Sequence, residues 1–345
     1  MNLKKKRILK NKAQDIAVIG AGSWGTALAL LLGKKGHSVR LWGHRLEHVA
    51  AIQENRENLA YLPGFPFPDT ITPTADISTA VKAASIICMV VPSHCYRVVF
   101  EQVLSAAPPA AIFVSATKGI ENDSLNSMTQ VMESCSTRRG REINSAVLSG
   151  PSFAKEVADE VPTAITIGSK QAKIAQELQD VFSTDYFRVY TSSDIIGLEL
   201  SAALKNIIAI AAGICDGLDF GTNARAALIT RGLAEMTRFG VQRGAEKETF
   251  FGLSGLGDLV LTCTGALSRN RYVGIELGKG KKLDQILKEM TMVAEGVKTT
   301  KSVFDMVNKN QLDMPILEQV YKILYEDKNC LLAVKDLLGR ALKPE

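Results

Sequence analysis

Several stretches of this 345-residue chain combine residue types that could do chemistry. Lys205 lies in a strongly apolar helical segment, with Leu200, Leu204, Ile207, Ile208 and Ala211 near one face. That pattern puts Lys205 beside or on the buried side. Burial desolvates an ammonium and lowers its pKa, which is how a lysine becomes a proton donor or acceptor near neutral pH. The alternative is an aliphatic stem that carries its charge out to water. Lys118, in Thr117-Lys118-Gly119, follows the apolar run Ala110 to Ser115. At the carboxyl end of a strand in an α/β sheet it would face the ligand crevice and stabilise negative charge on a substrate. The alternative is an ordinary surface lysine. Gly150-Pro151-Ser152 makes a sharp turn after a short strand, and either lines the same cleft or lets Ser152 cap the next helix. Gly252 to Thr262 reads as a second glycine-rich loop running into a helix, followed by Ser268-Arg269-Asn270-Arg271. A forked guanidinium with hydroxyl and amide neighbours suits a phosphate or carboxylate; an exposed basic tip is the plainer reading.

Gly20-Ala-Gly22-Ser-Trp-Gly25 fits the GxGxxG pattern. It follows a strand-like run, Asp15 to Gly20, and opens a helix, the context a dinucleotide site requires. The first glycine makes the turn, the second lets the backbone approach a pyrophosphate, and the third lets helix and strand pack closely. The helix N-terminus then offers free N–H groups to the phosphates. The next strand ends at Trp42-Gly43-His44-Arg45, with no acidic residue for the ribose hydroxyls before Glu47. Arg45 is suited to a 2′-phosphate or to stacking on adenine, so the expectation is NADP or NAD with a leaning to NADPH. His44-Arg-Leu-Glu-His48 also fits a zinc-peptidase string, but it falls where the nucleotide pocket belongs and reads as a solvated helix start. No metal is expected.

The elements that must position these residues come in two kinds. Short apolar runs at Asp15–Gly20, Ser38–Trp42, Ser85–Val91, Ala110–Ser115, Ala146–Leu148 and Thr163–Ile167 alternate with helical stretches such as Thr26–Lys35. Such alternation implies βαβ units and a mainly parallel sheet. From about residue 192 only helical patterns follow: Asp194–Ala212, Asn223–Arg238, Leu283–Glu289, Val297–Lys309 and Ile316–Glu326. The expected fold class is an α/β N-terminal Rossmann-type domain over 15–190 and an all-α C-terminal domain over 191–345.

Composition narrows the partners. The chain carries 41 basic and 36 acidic residues, for a net charge of +5. Six of the basic residues, and no acidic one, fall within residues 1–12; the rest holds 35 basic against 36 acidic. The body is nearly neutral, which argues against a nucleic-acid face. Residues 1–14 read as a basic, disordered extension without the apolar stretch of a secretory signal. No apolar run reaches the ~18 residues of a membrane span, the longest being Ile207–Ile214, so no integral membrane association is expected. The six cysteines show no CxxC spacing and suit a reducing cytoplasm.

Taken together, GAGSWGTALA (20–29), ATKGI (116–120), SGPSFAKEV (149–157), LKN (204–206), NARAALITRGLAEM (223–236) and GLSGLGDLVLTCTGALSRNRYVG (252–274) resemble, in order, the signatures of bacterial-type NAD(P)-dependent glycerol-3-phosphate dehydrogenases. The resemblance spans about residues 15 to 340 and leaves the basic extension outside. It implies reversible reduction of dihydroxyacetone phosphate to sn-glycerol 3-phosphate for phospholipid synthesis, in a cytoplasmic homodimer. On the family pattern Lys205 is the proton donor/acceptor and Asp258 sits with it. Lys118 contacts both cofactor and substrate. Gly150, Ser152, Thr262, Ser268, Arg269 and Asn270 line the substrate, with Arg269 also reaching the cofactor. Ser23, Trp24, His44, Arg45, Ala154, Val293 and Glu295 join Gly20, Gly22 and Gly25 around the dinucleotide. Two alternatives remain: a β-hydroxyacid or 6-phosphogluconate-type dehydrogenase, in which lysine and asparagine are spaced KxxxN, and a non-catalytic NADP-binding sensor.

Overall fold

The computed structural model describes residues 13–122, 124–290, 293–310 and 312–342. Most of the basic extension, residues 1–12, lies outside them. Eight strands form one sheet: β1 (Asp15–Ile19), β2 (Ser38–Trp42), β3 (Ile71–Thr74), β4 (Ile86–Met89), β5 (Ile112–Ser115), β6 (Asn144–Ser149), β7 (Thr163–Gly168) and β8 (Phe187–Ser192). Their order is β3-β2-β1-β4-β5-β6-β7-β8. All neighbours are parallel except β6 and β7. The helices of this half are α1 (Ser23–Lys34), α2 (Leu46–Asn55), α3 (Ile77–Val81), α4 (Tyr96–Ala106), α5 (Met128–Arg138), α6 (Ala154–Ala158) and α7 (Ala172–Phe182).

The central strands read as unbroken apolar runs because both sheet faces are covered. Ile16, Ala17, Val18 and Ile19 are fully buried, alternating between a core under α1, α6 and α7 and one under α3, α4 and α5. The two strands the sequence did not announce are the edges. β3 contains Pro73, which an edge strand tolerates because its missing N–H leaves no ladder bond broken. β8 alternates buried Phe187 and Val189 with exposed Arg188 and Tyr190, a one-sided pattern. The sheet order reverses between β1 and β4, and the carboxyl ends of these strands face a crevice there.

The remaining helices are α8 (Ile195–Gly217), α9 (Gly221–Gln242), α10 (Lys247–Phe251), α11 (Asp258–Thr264), α12 (Arg269–Gly278), α13 (Leu283–Glu289), α14 (Glu295–Asn310), α15 (Pro315–Tyr325) and α16 (Cys330–Leu338). No strand follows Ser192 among the described residues. Helix α8 is longer than its sequence pattern suggested. By length and composition it is apolar enough to cross a membrane, but it is the buried axis around which α9, α11, α12, α14 and α15 pack. Gly213 on α8 and Gly274 on α12 permit a close crossing: a Cβ on Gly213 would lie 2.1 Å from the Arg271 carbonyl oxygen, and one on Gly274 would lie 2.0 Å from that of Ile210. The segment expected as a glycine-rich loop, Gly252–Gly257, is instead a π-helical turn over Leu253–Gly257 that runs straight into α11. Gly255 makes it possible, since a Cβ there would lie 2.1 Å from the Phe250 carbonyl oxygen.

Candidate active site

One cavity of about 570 Å³ lies at the carboxyl ends of β1, β2, β4 and β5 and continues to α8, α11 and α12. Of the residues singled out from sequence, Gly20, Gly22, Ser23, Trp24, Gly25, His44, Arg45, Lys118, Ser152, Ala154, Lys205, Asp258, Thr262, Ser268, Arg269, Asn270, Val293 and Glu295 all line it. Gly150 does not, but its carbonyl accepts a bond from Lys118 Nζ at 3.1 Å.

At one end is the turn from β1 into α1. Gly20 has φ +128°, and a Cβ there would lie 2.5 Å from the Val90 carbonyl oxygen. Gly25 sits against the turn itself: its Cβ would lie 1.8 Å from the Gly20 carbonyl oxygen. Gly22 has nothing within 4 Å of an added Cβ and opens on the cavity. Helix α1 has no side-chain cap, so its first-turn N–H groups are left for a ligand. This cradle fits a dinucleotide pyrophosphate. Arg45 stands beside it just before α2, its Nη2 donating to the Tyr61 hydroxyl at 2.7 Å. His48 of the zinc-like string is bonded through Nε2 to Asn58 Oδ1 at 3.0 Å.

At the inner end two lysines converge on one carboxylate. Lys205 Nζ donates to Asp258 Oδ1 at 2.8 Å and to Thr262 Oγ1 at 2.5 Å. Lys118 Nζ donates to Asp258 Oδ2 at 2.8 Å. The apolar setting inferred for Lys205 is found: it is 4% exposed, and Asp258 1%. Burial lowers the Lys205 pKa to about 8, with Lys118 pushing the same way and Asp258 opposing. Burial alone would raise the Asp258 pKa, but the two ammonium groups overcome it and hold the carboxyl below its usual range. Two ammonium groups and one carboxylate thus leave an excess of one positive charge at the inner end of the cavity, an arrangement suited to an oxyanion.

Beside this cluster, Ser268 caps α12, its Oγ accepting from Arg271 N at 3.2 Å. Arg269 is open to the cavity yet surrounded closely enough that desolvation lowers its pKa, against the opposing pull of Glu295. Arg271, two residues on, turns away to Asp216 at 2.7 Å. Asn270 is braced on both sides: its Nδ2 donates to Asn206 Oδ1 at 2.9 Å and its Oδ1 accepts from Gly296 N at 2.9 Å. Ser152 does not cap α6; its hydroxyl turns back to the Gly150 carbonyl at 3.1 Å.

Residues 15–175 match the family described as NAD-dependent glycerol-3-phosphate dehydrogenase N-terminus, and residues 194–335 its C-terminus. The chain belongs to the NAD-dependent glycerol-3-phosphate dehydrogenase family. It is 57% identical over 339 residues to the glycerol-3-phosphate dehydrogenase [NAD(P)+] of Desulfotalea psychrophila, covering 98% of this chain and 100% of that one. It is 49% identical over 335 residues to that of Geobacter sulfurreducens, covering 96% and 99%. A crystal structure of glycerol-3-phosphate dehydrogenase from Coxiella burnetii superposes with a TM-score of 0.91 at 41% identity, covering 95% and 99%. These findings favour the family over the two alternatives kept open from the sequence.

Tyr61 is a cavity residue of this family member that sequence reading missed, and Thr117 and Asn206, both inside the quoted motifs, were given no role there. Ser93, outside the cavity wall, was missed too: its hydroxyl donates to Glu295 Oε2 at 2.6 Å, tying the β4 loop to the start of α14. Pro92-Ser93 had a usable signal, since it ends the β4 run at the crevice edge. Tyr61 had none, coming from an irregular segment between α2 and β3.

Proposed function

We propose that this chain catalyses the reversible NAD(P)H-dependent reduction of dihydroxyacetone phosphate to sn-glycerol 3-phosphate, the backbone of glycerophospholipids. The observation that carries the reading is the convergence of Lys118 and Lys205 on Asp258 in a cavity whose other end is the glycine cradle. A dinucleotide held along the glycine cradle would supply hydride chemistry to this site. Lys205 gives its proton to the carbonyl oxygen and recovers one in the reverse direction. Lys118 stabilises the negative charge that develops there. Asp258 holds both ammonium groups in place, and Thr262 accepts from Lys205 while donating to the Asp258 carbonyl at 2.6 Å. Ser152 forms the adjacent wall, and Gly150 acts from behind it through the carbonyl that holds Lys118. Ser268, Arg269 and Asn270 hold the phosphate end: a guanidinium and a helix N-terminus are suited to a dianion.

In this reading Gly20, Gly22, Ser23, Trp24, Gly25, His44, Arg45, Ala154, Val293 and Glu295 hold the cofactor, with Lys118 and Arg269 shared between cofactor and substrate. Arg45, in the absence of an acidic residue at the end of β2, supports a preference for NADPH. The division of labour is a dinucleotide-binding unit over 15–190 and a helical substrate-binding unit over 191–345. The family resemblance supports a homodimer at work in the cytoplasm.

The test is oxidation of NADPH and NADH by dihydroxyacetone phosphate, compared side by side. Both are expected to be consumed, NADPH with the higher kcat/KM. No oxidation of either would overturn the enzyme reading.

A further inference from the structure

Asn58 is fully buried behind the Arg45 end of the cavity and is not part of its wall. Its carboxamide is bonded on every side. Nδ2 donates to the Ala21 carbonyl at 3.0 Å and to Thr26 Oγ1 at 2.8 Å. Oδ1 accepts from His48 Nε2 at 3.0 Å and from the Tyr61 amide at 3.3 Å. The orientation of the group is over-determined: a carbonyl can only accept and a backbone amide can only donate. It follows that the proton between Asn58 and His48 is on the histidine.

Three of the four partners belong to the cavity wall. Ala21 lies between Gly20 and Gly22 of the phosphate cradle, and His48 and Tyr61 face the pocket. Tyr61 passes the constraint on. Its carbonyl accepts from Ser23 Oγ at 2.7 Å, its hydroxyl accepts from Arg45 Nη2 at 2.7 Å, and its ring meets that of His48 edge-on at 5.0 Å. One buried amide therefore joins the glycine turn, α1, α2 and the irregular segment that carries Tyr61. An apolar residue could fill such a space. A fully satisfied polar group instead specifies one geometry.

We propose that Asn58 is a positioning residue for the dinucleotide: without touching it, Asn58 fixes the glycine turn and the Tyr61–Arg45 pair in the arrangement that binds the cofactor. The proposal rests on the dehydrogenase reading, and it places this residue upstream of cofactor affinity rather than of the chemical step.

The experiment is steady-state kinetics on full-length Asn58→Ala, with thermal melting alongside. The KM for NADPH is expected to rise about tenfold or more, while kcat at saturating NADPH stays within about twofold and the KM for dihydroxyacetone phosphate is unmoved. A lower melting temperature with an unchanged KM for NADPH would overturn the proposal, leaving Asn58 a packing residue. If that variant does not fold, Thr26→Val and Thr26→Ser decide. The valine removes one acceptor of Asn58 and is expected to raise the NADPH KM about threefold, and the serine to restore it. Equal KM values for the two would overturn the proposal. Wild-type protein is the control: if it fails to oxidise NADPH, the dehydrogenase reading fails, whereas a working wild type with unaffected variants removes only Asn58's role.

Discussion

A lysine buried in the middle of the apolar helix α8 gives up most of its hydration, and that loss is what readies Lys205 to exchange a proton near neutral pH. Its character was legible in the sequence because the apolar neighbours lie within two turns of helix. Its partners were not legible from spacing alone. Asp258 is 53 residues from Lys205 and 140 from Lys118, and no local pattern joins them. Lys205→Ala should lose roughly two to four orders of magnitude in kcat while still binding NADPH, as read by stopped-flow turnover and by fluorescence titration. Near-normal turnover would remove the assigned role. Asp258→Asn takes away the charge that raises the Lys205 pKa and leaves Lys118, which lowers it. The alkaline limb of ketone reduction should therefore move to lower pH in that variant; a shift to higher pH would show that another group titrates.

The elements hold these residues in register, and here the sequence was most legible where a strand was apolar on both faces. β1, β4 and β5 announced themselves. β3 was hidden by Pro73, β8 by its exposed Arg188 and Tyr190, and the π-helical turn by glycines that look like a loop. The contact of α8 with α12 matters to the proposed mechanism, because it sets Asn270 against Asn206, next in sequence to Lys205. Gly274→Ala tests it. Alanine within a helix ordinarily gains about 1 kcal/mol over glycine. Here its Cβ would lie 2.0 Å from the Ile210 carbonyl oxygen, so the helices must separate. The expected outcome is a loss of about 1–3 kcal/mol in denaturant unfolding together with a higher KM for dihydroxyacetone phosphate. A stabilised protein with unchanged KM would show that the crossing yields without cost.

At the scale of the whole molecule, the two-part plan of sheet and helices was legible from periodicity, but the order of the strands and the enclosure of one cavity between sheet and helices were not. These depend on which distant segments meet. A ligand that fills this cavity stabilises the fold by mass action, about 2.7 kcal/mol at a hundredfold excess over Kd. NADPH should raise the melting temperature by a few degrees, and dihydroxyacetone phosphate alone should raise it less. An equal effect of both would contradict the placing of the larger site at the glycine cradle. Light scattering should give twice the 37.3 kDa chain mass if the enzyme is a homodimer; the single-chain mass would refute that assembly.

In the proposed mechanism one buried lysine carries the proton in both directions. The pH dependence of kcat/KM for ketone reduction and for alcohol oxidation, measured on a single preparation, reads that lysine out. Reduction needs the protonated lysine, so its rate should be level below about pH 7 and fall through a midpoint near the Lys205 pKa of about 8. Oxidation needs the neutral amine and should rise through the same midpoint. A reduction rate that stays flat or climbs to about pH 10 would contradict the account, because Lys205 would then not be the group that gives up the proton.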